Sequence, residues 1–131
     1  MRTCVRTVSI KGSSVARLEQ ALATRNPLLV RAAAAELRHV ALPDALAICL
    51  LLLDAEPERY HAAAARWAGR FVVEHPGISV GEAQLILSCL NALHGPEWLV
   101  ASEALTALCR SRRLPRAAEF LEQWVERRIG E

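Results

Sequence analysis

Six prolines, at positions 27, 43, 57, 76, 96 and 115, cut the chain into segments of 14 to 20 residues. That spacing limits what the chain can fold into. The interior of a sheet rejects proline, whereas the first turn of a helix accepts it, because the missing N–H has no partner there in any case. Five of the six stand where a helix would begin. Asn26 before Pro27 offers a side-chain oxygen to the free amides of a first turn. Ser79 followed by Glu82 reads as a capping box ahead of a long apolar-periodic run. Gly95 closes one helix before Pro96 opens the next, and the Pro76-Gly77 pair marks a turn. Hydrophobic residues make up 53% of the chain and aromatics only 5%, so Ala and Leu, both strong helix formers, carry the apolar content. The fold class is all-α, with seven helices predicted at 14–24, 27–40, 43–53, 57–74, 80–94, 96–111 and 115–129. Their short connections make neighbours antiparallel. The length suits one domain, expected over 14–131 behind a flexible N-terminal tail at 1–13.

A second regularity explains the punctuation. The stretch NPLLVRAAAAEL, from Asn26, returns thirty residues later as EPERYHAAAARW, from Glu56. The offset superposes Pro27 on Pro57, Val30 on Tyr60, Arg31 on His61 and Leu37 on Trp67. A looser copy, GPEWLVASEALT, keeps Pro96, Ala101 and Ala104 at an offset of 39. At an offset of 72, Leu42-Pro43-x-Ala45-x-x-Ile48 matches Leu114-Pro115-x-Ala117-x-x-Phe120. Units of this length with two helices each are the period of α-solenoids. The segments P-x-x-V-R-x-A-A-A-x-x-L and P-x-x-Y-H-x-A-A-A-x-x-W resemble HEAT-type repeats over roughly residues 14 to 111. The resemblance implies stacked helical hairpins, in a short solenoid or a compact bundle, and carries no specific activity. The alanines let helix backbones approach closely. Val30, Ala33, Ala34 and Leu37, with Tyr60, Ala63, Ala64, Trp67 and Phe71, fall on single stripes by three-four spacing and are the predicted core.

Sixteen basic residues against fourteen acidic give a formal charge of +2, too near balance for a wholly nucleic-acid-binding or acidic-ligand surface. Lys11 is the one lysine, and the arginine bias reads as the codon usage of a GC-rich, bacterial genome. Cys4, Cys49, Cys89 and Cys109 are widely spaced, as expected of reduced thiols in a cytoplasmic protein. The longest apolar run, Ala45 to Leu53, is too short to span a bilayer and reads as a core helix. His39, His61, His75 and His94 make no pair at helical ligand spacing, and HPGISVGE lacks the Lys-Ser/Thr of a phosphate loop, so neither a metal nor another cofactor is expected. No nucleophile and base are ordered for catalysis, so the protein is not expected to be an enzyme.

Local charge carries what functional signal there is. Arg59, Arg66 and Arg70 align on one side of the fourth helix, and Arg31 and Arg38 on the second, as a strip that would receive a protein partner. The expected function is therefore a non-catalytic interaction module or adaptor. The alternative is a nucleic-acid accessory factor that holds phosphates through Arg110, Arg112, Arg113 and Arg116, four guanidinium groups within seven residues. A homodimer through the C-terminal helix is a further expectation, from Phe120 and Trp124.

Overall fold

The computed structural model describes residues 14–131; the expected tail and Cys4 lie outside them. Among the described residues the protein is all-helical, in antiparallel hairpins: α1 (14–24), α2 (Pro27–Ala35), α3 (Leu42–Ala55), α4 (Pro57–Glu74), α5 (Val80–Ala92), α6 (Trp98–Ser111) and α7 (Pro115–Gly130). Pro27, Pro43, Pro57 and Pro115 each occupy the first turn of a helix, as the sequence leads one to expect. Pro96 instead sits in the turn before α6. The chain divides into two compact units, with the boundary between Val40 and Ala41.

The first unit holds α1 and α2. Asn26 Oδ1 accepts from Leu28 N–H at 3.0 Å and caps α2 as expected. Arg17 reaches Glu36 at 2.6 Å. Leu18, Ala21, Val30 and Ala33 are buried. α2 is shorter than predicted, ending at Ala35 rather than residue 40. Its fully buried positions stop at Ala33, with Ala34, Leu37 and Val40 no more than half-buried beyond, and so short a helix persists only as far as tertiary burial supports it. Glu36 and Leu37 N–H turn instead to the carbonyls three residues back.

The second unit, α3 to α7, forms one ring of helices around one core. Each helix packs on its neighbours in sequence, and α7 closes the ring against α3. Four successive antiparallel steps leave the fifth helix running in the same direction as the first, so the closing pair is parallel. Side chains confirm the direction: Arg116 bonds Asp44 near the two helix starts at 2.7 Å, and Trp124 Nε1 donates to Asp54 further along at 3.1 Å. Asp44 and Arg116 are equivalent positions of the 72-residue echo. That repeat is thus realised as two matched helices lying side by side. Regular solenoid stacking would instead place α3 on α5, α5 on α7 and α4 on α6, and none of these pairs packs together among the described residues.

The core contains Leu46 and Leu50 of α3, Tyr60, Trp67 and Phe71 of α4, Ile86 and Leu90 of α5, Leu105 and Cys109 of α6, and Ala117, Leu121 and Trp124 of α7. Two buried polar tips are satisfied by backbone. Tyr60 Oη donates to Leu90 O at 2.6 Å, joining α4 to α5, and Trp67 Nε1 donates to Leu42 O at 2.9 Å, joining α4 to α3. The predicted stripe is present on α4, where Tyr60, Ala64, Trp67 and Phe71 are buried and Ala63 is half-buried. Within AAAA, only Ala64 is sealed at 4% exposure, while Ala62 and Ala65 face outward. Ala64→Leu should therefore cost about 1–3 kcal/mol through overpacking, while Ala65→Leu stays within about 0.5 kcal/mol of the parent. Urea denaturation of the two variants distinguishes them, and equal midpoints would refute this face assignment.

The Asp44 side chain is only 5% exposed beside an Arg116 that is 47% exposed. Removing the arginine leaves a buried carboxylate without its cation. Arg116→Ala is expected to destabilise by about 1–3 kcal/mol, less than for a fully buried pair because water reaches the guanidinium. Asp44→Asn should suppress much of that loss in a double-mutant cycle, so additive effects would show that the pair contributes nothing to closure.

Candidate interaction surface

The Arg110–Arg116 cluster forms where α6 turns into α7. Arg113 N–H bonds Arg110 O, Leu114 N–H bonds Cys109 O at 2.8 Å, and Arg113 takes the left-handed conformation at φ 61°. This is a Schellman ending with arginine at the position glycine usually fills. The turn sends the neighbouring guanidinium groups to carboxylates of three other helices or turns of helix. Arg110 Nη2 bonds Glu122 Oε1 of α7 at 2.6 Å. Arg112 grips Glu82 of α5 with both arms, Nε to Oε2 at 3.1 Å and Nη2 to Oε1. Arg116 holds Asp44 of α3. Arg113 alone of the four has no ion pair among the described residues. Three of the four charges in the alternative anion site are therefore engaged within the bundle. Ser79 caps α5 as expected, accepting from Glu82 N–H at 3.1 Å, but the Glu82 carboxylate that would complete the capping box goes to Arg112.

The other arginine group is differently placed. Arg59, Arg66 and Arg70 share one side of α4, at spacings of seven and four. Arg59 lies 3.7 Å from Glu56 with its side chain 58% exposed, and Arg70 Nε bonds Glu74 at 2.9 Å. Arg66 is exposed and has no ion pair among the described residues. Two of its neighbours on the helix surface are small: Ala62 is exposed, and a side chain built on Gly69 would meet nothing within 4 Å. Val73, 80% exposed, ends the same surface. Of the other residues assigned to this strip, Arg31 lies on α2 in the first unit, whereas Arg38 falls beyond the end of α2, in its connection. The expected alignment of Arg31 with Arg38 along a helix is thus absent, because α2 stops at Ala35.

The apolar residues expected to favour a dimer at the C-terminal helix are used inside the bundle. Trp124 is 1% exposed, edge-on to Trp98 at 5.7 Å, and Phe120 is half-buried beneath the Arg116 guanidinium. Arg128 lies over both indoles, at 5.0 and 4.9 Å from their ring centres.

Two histidines that are far apart in sequence meet in space, with the rings of His61 on α4 and His94 after α5 centred 5.2 Å apart. Nothing in local spacing signals this; it follows from α4 packing on α5. His75 stacks on Phe71, and its Nδ1–H donates to the Phe71 carbonyl at 2.9 Å, completing the end of α4. No cluster of three or more His, Cys, Asp or Glu side chains able to hold a metal occurs among the described residues.

A groove of about 460 Å³ runs between α6 and α7, lined by Leu99, Ser102, Thr106, Glu103, Val125 and Glu126 among others. Another lies between α5 and α6, beside Glu82 and Arg112. Neither contains a histidine or a cysteine. No helix is long and apolar enough to cross a membrane among the described residues. No family model, curated protein or solved structure matches the chain.

Cys49, Cys89 and Cys109 are free and buried. Burial pushes the thiols of Cys49 and Cys109 up from 9.0 to about 12; the Arg66 guanidinium opposes the rise at Cys49, and Cys89 adds to it at Cys109. A thiol raised on folding favours the native state only while it stays protonated in the unfolded chain. That contribution is complete below pH 9 and is lost as pH rises from there through about 12. Stability should accordingly fall by about 1–3 kcal/mol between pH 8 and pH 10. Cys49→Ala/Cys109→Ala should lose less over the same interval, and parallel urea curves for the two proteins would contradict the assignment.

Proposed function

We propose that the protein is a non-catalytic interaction module whose five-helix unit presents the arginine face of α4 to an acidic protein segment. The observation that carries this reading is Arg66: exposed, free of any ion pair among the described residues, and flanked by Ala62 and Gly69, whose small size leaves its guanidinium open to a partner. Planar guanidinium groups suit bidentate capture of carboxylates. Arg59 and Arg70 extend the row. Their ion pairs with Glu56 and Glu74 lie within one turn on the same surface and can exchange for a partner's carboxylates at small cost. A nucleic-acid role for Arg110, Arg112, Arg113 and Arg116 has less support, since phosphate binding would compete with three internal ion pairs. The free buried thiols suit the reducing cytoplasm.

Arg59→Glu/Arg66→Glu should abolish capture of the partner from extracts of the source organism while leaving the melting temperature within about 2 °C of the parent, both residues being exposed. Unchanged capture would remove the α4 face from consideration. A duplex DNA titration at about 50 mM salt separates the two chemistries, because phosphate contacts would give strong binding that falls steeply as salt is raised.

A further inference from the structure

The geometry points to a transition-metal site formed by His61 and His94, with Zn²⁺ as its best-suited ion. An imidazole nitrogen sits about 2.0–2.1 Å from zinc, which puts each ring centre about 3.2 Å from the metal and the centres of two rings on one tetrahedral ion about 5 Å apart. The observed separation is 5.2 Å. The rings are inclined at 53°, which is neither the offset stack nor the edge-to-face arrangement that aromatic packing favours. Both side chains are exposed, so an ion can reach them and water can complete its coordination.

Their backbones are firmly positioned. Tyr60, next to His61, is fully buried and tied to Leu90 O on α5. Leu93, next to His94, is also fully buried, and His94 N–H bonds Asn91 O. The hydrogen bond from Tyr60 to α5 thus fixes the distance between the two segments that carry the imidazoles. Two nitrogen ligands select borderline ions over Mg²⁺ or Ca²⁺, which require oxygen. With half the ligands of a closed structural site, affinity should be moderate, with a Kd of about 1–100 µM. A bound ion would bridge α4 to the turn after α5 and so stabilise the folded state by mass action.

The test is calorimetric titration of the protein with ZnCl₂ at pH 7.5 under reducing, chelator-free conditions. One equivalent should bind, the melting temperature should rise by several degrees at about 1 mM zinc, and MgCl₂ should do neither. His61→Ala and His94→Ala should each abolish saturable binding while melting like the parent without metal, and His39→Ala should bind as the parent does. In the parent itself, zinc should shift the ring proton resonances of His61 and His94 and leave those of His39 and His75 in place, a readout independent of any variant. Absence of saturable binding, binding that persists in either His61→Ala or His94→Ala, or shifts confined to other histidines would overturn the site.

Discussion

The contact between α7 and α3 determines the form of the second unit. Without it, five helices joined by short turns would make an open row with two exposed flanks, one on each terminal helix. With it, they enclose a core to which every helix contributes. Closure is secured at two levels along the helices, by Arg116 on Asp44 at one and by Trp124 and Arg128 on Asp54 at the other. α3 is accordingly apolar around most of its circumference, with Leu42, Leu46, Cys49, Leu50 and Leu53 all in the core, as a helix flanked on two sides requires.

Closure also explains how the arginines are used. A ring of helices brings turns and helix ends from distant parts of the chain together, and each such meeting can pair a cation with an acid. Arg110, Arg112 and Arg116 surround one such meeting and are all paired across it. Arg59, Arg66 and Arg70 each precede a core residue of α4, namely Tyr60, Trp67 and Phe71, and so border its buried face, and the ion pairs of Arg59 and Arg70 are local to that helix and its cap. Density of charge in the sequence was therefore a poor guide to availability; position relative to the ring decides it.

Helix starts were legible because proline and side-chain caps act locally. Asn26, Pro57, Ser79 and Pro115 needed no tertiary information. The core stripe of α4 was legible for the same reason, since three-four spacing is a property of the helix itself. The early end of α2 was not, because it depends on where burial stops, and the closure of α7 on α3 was not, because a sequence repeat does not say whether equivalent helices stack in order or meet across a ring. Of the candidate site, the alignment of Arg59, Arg66 and Arg70 could be read from spacing. The pairing of Arg112 with Glu82 and the meeting of His61 with His94 are long-range consequences of helix packing and leave no local mark.

The odd number of helices in the ring separates its entry from its exit. The chain comes in at Leu42 beside the start of α7, and α7, sixteen residues long, carries it about 24 Å away before it leaves at Gly130. An even-numbered ring would return its two ends to the same pole, where a short loop could join them and permit circular permutation. Here such a loop would have to traverse the full height of the unit, and a domain fused after Glu131 would emerge at the pole opposite the one through which the preceding residues arrive.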